Sequence, residues 1–159
     1  MGNMQSIKFD DGYKSFCIND DESRVIRFNP KDINLIERVN QAKINATEKM
    51  KELNVDEKAL VDLSDDESVN ETLTIFSDLN KFLLDQVDLI FGKGAGVTVF
   101  GEQSPLTTIN GKTLFEGFLE GAIKIIEPYI KEEAEKKQKY IQENYKKYYK
   151  RWLGDFLLL

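Results

Sequence analysis

The segment from 68 to 91 constrains the fold more than any other, because its apolar face is too wide for a surface helix. It opens on "SVNE", which matches a capping box, and "GKGAG" at 92–96 ends it. The apolar positions between these signals are Val69, Leu73, Ile75, Phe76, Leu79, Phe82, Leu83, Val87 and Ile90. A helix with so broad an apolar face is buried on more than one side. The rest of the chain is therefore expected to pack around it.

A small sheet and a further helix are predicted before this segment. "QSIKF" and "YKSFCI" flank "DDG", a hairpin signal, and "RVIRF" follows a second turn, "NDDES". These patterns predict an antiparallel meander of three strands over residues 5–28. Asn29 then fits a helix cap and Pro30 the first helical position. Apolar residues at spacings of three and four continue this helix to Leu53, at Leu35, Val39, Ala42, Ala46, Met50 and Leu53.

Two further helical segments are predicted after the central helix. "GKGAG" follows a helix rather than a strand, so it indicates a helix C-cap and a flexible hinge, not a dinucleotide fingerprint. Residues 97–110 are expected to form a loop that includes a short strand, "VTVF". An apolar helical pattern runs from Leu114 to Glu127, and Pro128 should kink or end it because proline lacks an N–H. A second helical segment is expected from Tyr129 onward.

The elements predict the α+β class. We expect a small N-terminal antiparallel β-meander followed by a mainly α-helical body of about four helical segments. The expected division is a core domain over 1–128 and a basic, Tyr-rich C-terminal helical extension over 129–159.

The tetrapeptide "NGKT" at 110–113 has the ending of a phosphate-binding loop, and the residues before it argue against that function. Such a loop needs glycine five positions before Gly111, where this chain has Leu106. Asn110-Gly111 is instead a turn dipeptide, and Thr113 with Glu116 matches a capping box. We therefore expect a turn and a helix cap here.

Composition excludes several function classes. The chain has 159 residues, a net charge of −6, a single Cys17 and no His. Without His, Ser-His-Asp and Cys-His catalytic sets are impossible. The acidic clusters "NDDES" and "DDES" lack the ligand spacing of a calcium loop. We expect no enzyme, no cofactor and no metal. Without a signal peptide or a membrane-length apolar run, a cytoplasmic protein is expected.

Charge is unevenly distributed along the chain. Residues 56–67 hold six acids and one Lys, and are read as an acidic connecting loop, whereas residues 136–151 hold seven basic residues and one Glu. Basic residues among aromatic ones can bind single-stranded nucleic acid, but the net acidity of the chain disfavours this. Tyr145, Tyr148 and Trp152 are spaced as in a helix that packs on protein. Phe156 and Leu157 begin an apolar end that a partner or the core would have to cover.

Four stretches resemble a family of uncharacterised phage and prophage tail-module proteins of Gram-positive bacteria. They are "SIKFDDGYKSFCINDDESRVIRFNPKDINLIERV", "DQVDLIFG", "VFGEQSPLTTINGKTLFEGFLEGAI" and "QKYIQENYKKYYK". The resemblance implies a tail assembly chaperone, which coats the long apolar tape measure protein and assists polymerisation of the tail tube. It also implies a cytoplasmic location in an infected or lysogenic bacterial host.

On this hypothesis the chain is a non-enzymatic binding protein. Its partners would be the tape measure protein, the tail tube protein and a further copy of itself. The expected contact residues are Phe115, Phe118, Tyr145, Tyr148, Trp152, Phe156 and Leu157. Two alternatives stay open at this point. One is a small acidic phage protein that inhibits a host nuclease or defence complex, and the other is a weak nucleic-acid binder acting through the C-terminal tail.

Overall fold

In the part of the chain that the structure describes, a two-stranded hairpin precedes four helices, and a very short second hairpin lies between the last two. The computed structural model describes residues 2–53 and 66–157, and the side chains within them except at positions 68 and 148–157. The elements are β1 (Lys14–Ile18), β2 (Asp21–Phe28), α1 (Ile33–Glu52), α2 (Asp66–Phe91), α3 (Ala95–Phe100), β3 (Thr108–Ile109), β4 (Lys112–Thr113) and α4 (Leu114–Leu157). The predicted α+β class is confirmed.

The hairpin places one face on the body and one in solvent. β1 pairs antiparallel with β2, so that Phe16 lies opposite Ile26 and Cys17 lies opposite Val25. Ile26 and Phe28 are buried, whereas Cys17 and Val25 are exposed. This alternation is the period of two expected for a half-buried sheet.

The first of the three predicted strands is wrong, because residues 5–9 form no strand. Local side-chain bonds replace the hairpin turn that "DDG" predicts. The Asp10 carboxylate accepts a hydrogen bond from the Gly12 N–H at 2.9 Å, and that of Asp11 accepts one from the Tyr13 N–H at 3.1 Å. Asn29 Nδ2 also donates to the Asp11 carbonyl at 3.0 Å. These bonds satisfy the turn without a neighbouring strand.

Helix α1 begins later than predicted. Asp32, not Asn29, is its N-cap and accepts a hydrogen bond from the Asn34 N–H at 2.9 Å. Asn29 Oδ1 accepts instead from the Lys31 N–H at 2.8 Å, in the turn that precedes the helix. The predicted apolar stripe is buried at Leu35, Val39, Ala42 and Ala46. These side chains pack α1 against α2.

Helix α2 is the centre of the core. Leu79, Leu83 and Val87 are at most 1% exposed. Buried side chains of β2, α1, α3 and the first half of α4 join them in one hydrophobic cluster. The apolar face thus contacts neighbours on several sides, as its sequence predicts, except at Leu73, which is 59% exposed. The cap expected at Ser68 lies outside the described side chains, and most of the acidic loop 56–67 lies outside the described residues.

Helix α3 replaces the short strand predicted at "VTVF". Gly92 and Gly94 have φ angles of 107° and 88°, which lie in the left-handed region that favours glycine. They end α2 and start α3 within three residues, so the predicted hinge is a tight corner between two helices. Val99 and Phe100 are buried. Valine and threonine favour strands, but a helix forms here because it buries Val99 and Phe100 against the core.

Helix α4 continues through Pro128, so of the two outcomes predicted for this proline, a kink or an end, the helix does not end there. Ile126 is fully buried and Ile130 packs against the core, so both flanks of the proline are held in place. The 44 residues of α4 correspond to a length of about 66 Å. None of the helices in the described ranges is long and apolar enough to cross a membrane. The expected division into 1–128 and 129–159 stays a prediction.

Candidate partner-binding surfaces

An open apolar groove of about 770 Å³ lies between the β1–β2 hairpin, α3 and the start of α4. We refer to it as the groove. The hairpin forms one wall through residues 15–19 and through Arg24, Ile26 and Phe28 of β2. The first three turns of α4 form the floor. Its apolar lining comprises Phe16, Ile18, Ile26, Phe28, Val99, Phe100, Ile109, Leu114, Phe118, Ala122 and Ile125.

Aromatic rings hold the groove in shape. The Phe118 ring lies 5.4 Å from that of Phe91 and 5.9 Å from that of Phe100, edge-on to both. The Phe28 ring contacts Phe91 at 4.9 Å and stacks on Phe16 at 4.6 Å. Edge-to-face pairs at these separations are favourable beyond the area that they bury. The hairpin, α2, α3 and α4 are therefore joined behind the groove by one set of rings.

Two glycines on the floor of the groove have no packing reason in the part of the chain that the structure describes. Gly117 and Gly121 are one helical turn apart on α4, and a Cβ added at either would meet nothing within 4 Å. Gly96 differs, because its added Cβ would lie 2.7 Å from the Leu84 carbonyl oxygen. Glycine inside a helix is unfavourable by roughly 1 kcal/mol relative to alanine. The pair at 117 and 121 leaves open space on the floor of the groove.

Three polar side chains of the groove, those of Arg24, Lys112 and Thr113, are engaged in structural bonds. Arg24 donates from Nε to the Thr98 carbonyl at 3.1 Å and from Nη2 to the Val99 carbonyl. A guanidinium at these carbonyls stabilises the C-terminal end of α3 through charge-assisted hydrogen bonds and the helix dipole. The apolar part of the lining suits the binding of an apolar segment.

An ion pair lies at the rim of the groove. Lys112 Nζ is 2.5 Å from Glu120 Oε2, and both side chains are about half exposed. The hydrogen bond from Lys112 lowers the pKa of Glu120 below its ordinary value, and the same bond raises the pKa of Lys112. This pair fixes β4 on the first turns of α4.

The "NGKT" segment forms the turn and cap predicted from its sequence. Asn110 and Gly111 have φ angles of 54° and 79°, as a tight two-residue hairpin requires, and they join β3 to β4. Thr113 Oγ1 accepts a hydrogen bond from the Glu116 N–H at 3.1 Å, at the start of α4. The segment thus has a structural role at the rim of the groove.

The second half of α4 extends away from the body. Every residue from Lys131 to Glu143 is exposed. Lys31 Nζ lies 2.9 Å from Glu133 Oε2 and ties the start of this stretch to the turn before α1. We refer to residues 131–157 as the projecting helix.

Apolar and aromatic side chains lie on the projecting helix. Tyr140, Ile141 and Tyr145 are each more than half exposed. An ion pair from Lys136 to Glu132 at 2.9 Å spans one turn nearer the body. The hydrogen bond in this pair lowers the pKa of Glu132 and raises that of Lys136.

The predicted contact residues fall into three environments. Phe115 is 5% exposed and belongs to the core, so in this conformation it offers no surface. Phe118 is partly buried and lines the groove. Tyr145 is exposed on the projecting helix. Positions 148, 152, 156 and 157 lie on the same helix, and their side chains are outside the described part, so their contacts stay predictions.

Sequence reasoning did not find the groove itself. It lies between segments that are distant along the chain, from the hairpin at 14–28 to α4. The spacing of Gly117 and Gly121 within a helical pattern was the signal that could have indicated it. Among the described residues, no group of three or more Cys, Asp or Glu side chains could hold a metal ion.

Comparison with known proteins found no protein-family model, no curated protein and no solved structure that matches this chain. The resemblance to phage tail-module proteins therefore stays a prediction that rests on the four stretches quoted above.

Proposed function

We propose that this chain is a non-enzymatic phage tail assembly chaperone that binds apolar helical segments of the tape measure protein along the projecting helix. The observation that carries the proposal is the exposure of residues 131–143 on a helix that continues to Leu157. A helix that lies clear of its own body can pair with another helix without unfolding any part of the protein. Helix pairing of this kind uses apolar anchors three and four residues apart.

The spacing of the anchors supports this mode of binding. Ile141, Tyr145, Tyr148 and Trp152 follow one another at intervals of four, three and four residues, so these positions share one helical face. Each large side chain that becomes buried contributes roughly 1.5–3 kcal/mol. Four such anchors contribute about 6–12 kcal/mol of binding free energy, before the cost of the translational, rotational and side-chain freedom lost on association is subtracted. About 8 kcal/mol corresponds to micromolar binding, which is tight enough to protect a client and weak enough to release it.

Charge on the same helix supports solubility of the complex. Lys146 and Lys147 are exposed, and further basic residues follow at Lys150 and Arg151. A tape measure protein covered by such helices would present charged rather than apolar surface to the cytoplasm of the host. Release would follow when tail tube subunits compete for the same segments.

Co-expression tests the proposal. The tape measure protein of the same phage should be more soluble when this chain is present, and the two should copurify. Trp152→Ala should weaken copurification, whereas Lys146→Glu with Lys147→Glu should change it less, because the apolar face carries the affinity. A tape measure protein that stays insoluble and binds nothing would refute the assignment. Loss of binding only in the charge-reversed variant would favour the electrostatic, nucleic-acid alternative.

A further inference from the structure

Residues 2–9, which we call the arm, have the pattern of a strand but no partner. Met4, Ile7 and Phe9 are 93%, 90% and 76% exposed. Ile7 and Phe9 alternate with Ser6 and Lys8, which is the pattern of a half-buried strand. Among the residues that the structure describes, no hydrogen bond or ring contact involves the arm. Large apolar side chains held in solvent in this way mark an interaction site.

The root of the arm is fixed on the body. Gly12 has a φ of +76°, and a Cβ there would lie 2.7 Å from Asn29 Nδ2. Asn29 Nδ2 also donates to the Asp11 carbonyl at 3.0 Å. The arm therefore starts from a defined point beside the hairpin. Its eight residues could span about 26 Å when extended, at roughly 3.3 Å per residue.

The groove offers what such a strand requires. β1 is hydrogen-bonded to β2 on one edge, and within the described residues no strand pairs with its other edge. The inner face of β1 carries Phe16 and Ile18 into the groove. Across the groove, Gly117 and Gly121 leave open space above α4. A free strand edge with apolar side chains beside an empty apolar groove is the arrangement used for strand addition.

We propose that the arm of one copy adds as a third strand to the free edge of β1 in a second copy, with Ile7 and Phe9 in the groove. Ser6 and Lys8 would then face solvent, beside the exposed Cys17. The sequence pattern of a three-stranded meander is thereby completed between two chains rather than within one. Lys8 is the only charged residue in 2–9, so the arm brings no acidic side chain toward a chain of net charge −6.

A reciprocal dimer follows from this contact. Two copies that exchange arms bury twice the apolar surface for a single loss of translational freedom. The exchange also closes the assembly, because each copy then has an occupied groove and a docked arm. This inference requires no tape measure protein and is independent of the proposed function.

Matched variants of the purified full chain test the proposal by light scattering at micromolar concentrations. Gly121→Leu fills the groove at an exposed helical position where nothing lies within 4 Å of an added Cβ, so the fold should be retained. It should convert a dimer into a monomer, whereas Gly121→Ala should stay dimeric. Phe9→Asp should also give a monomer, and its neighbour Lys8→Gln should not.

Each other outcome overturns the proposal. A monomeric wild-type chain would exclude a second copy as the occupant, including the case in which the arm folds into its own groove. A dimer that survives both Phe9→Asp and Gly121→Leu would place the interface elsewhere. Loss of the dimer in Phe9→Asp but not in Gly121→Leu would show that the arm binds outside the groove.

Cross-linking provides a readout that does not depend on mass in solution. Cys17 is the only cysteine and is exposed on β1. A chain with Lys8→Cys and Cys17→Ser should form a disulfide with a wild-type chain on mild oxidation, visible as a dimer on a non-reducing gel. The matched control carries Cys17→Ser and Ser77→Cys, where Ser77 is an exposed residue of α2. This control should not form a disulfide with the wild-type chain. Equal cross-linking of both variants, or of neither, would contradict the proposed contact.

Discussion

Alanine at Gly96 should destabilise the protein, whereas alanine at Gly121 should stabilise it, although both glycines lie in helices. At Gly96 an added Cβ would lie 2.7 Å from the carbonyl oxygen of Leu84, and an ordinary contact begins near 3.4 Å. The two groups must therefore separate by about 0.7 Å (3.4 − 2.7). Because the Leu84 oxygen belongs to the backbone of α2, it cannot rotate away.

The separation must be taken up by movement of α3 as a unit. Gly96 N donates to Asp88 Oδ1 at 2.8 Å, and Val99 and Phe100 are buried further along the same helix. Overpacking of this kind is unfavourable by about 1–3 kcal/mol. The higher helix propensity of alanine offsets up to about 1 kcal/mol of that. Taking the middle of that cost, about 2 kcal/mol, less about 1 kcal/mol for helix propensity, we expect a net loss of about 1 kcal/mol for Gly96→Ala.

Chemical denaturation followed by far-UV circular dichroism would measure both effects. Gly121→Ala meets no atom and should gain roughly 0.5–1 kcal/mol from helix propensity alone. The melting temperature should move in opposite directions in the two variants, by about 2–4 °C for each kcal/mol in a chain of this size. A Gly96→Ala protein as stable as the wild type would refute the close approach of α3 to α2, and with it one wall of the groove.

Substitutions at three other positions test separate parts of the structure. Thr113→Ala should lose about 1 kcal/mol of stability through the missing helix cap, and ATP or GTP with magnesium should not shift the melting temperature of the wild type. Arg24→Ala should lose about 1.5–3 kcal/mol because it removes charged hydrogen bonds to the end of α3, and Arg24→Lys should recover part of that loss in denaturant titrations. The pKa of Glu120 is lower in the folded protein than its unfolded value of 4.5, so the ionised carboxylate stabilises the fold at pH values above 4.5. That stabilisation is lost as the pH falls through the pKa of the folded state. Glu120→Gln should therefore be less stable than the wild type at neutral pH and equally stable in acid, and a constant difference across pH would contradict the role of the Lys112 bond.

Features that follow from apolar periodicity or from hydrogen bonds between residues close in sequence could be predicted from the sequence. The burial of α2, the stripe of α1 and the turn and cap at Asn110–Thr113 follow from apolar period and from local hydrogen bonds. These features need little information about distant parts of the chain. The groove could not be predicted in this way, because its walls are brought together only by the tertiary packing of rings such as Phe28, Phe91 and Phe118.

The places where the structure departs from local sequence signals have physical causes that lie in packing. Pro128 removes one backbone hydrogen bond, but Ile126 and Ile130 are held by the core on either side, and α4 continues. Helix α3 forms at "VTVF" because Val99 and Phe100 are buried there. The strand predicted at 5–9 has the right pattern, but no strand among the described residues pairs with it. At Pro128 and at "VTVF", packing against distant residues overrides a local preference, whereas at 5–9 the packing that the strand pattern requires is missing.

The central claim, that the projecting helix binds apolar helical segments, can be measured through the only tryptophan of the chain. Trp152 lies on the proposed binding face, so its fluorescence should report the client directly. Titration with a synthetic helical segment of the tape measure protein should give a saturable blue shift with a micromolar Kd. A scrambled segment of equal composition, without apolar residues at helical spacing, should give none. Trp152 emission that does not respond to the true segment, or responds equally to both, would contradict the account.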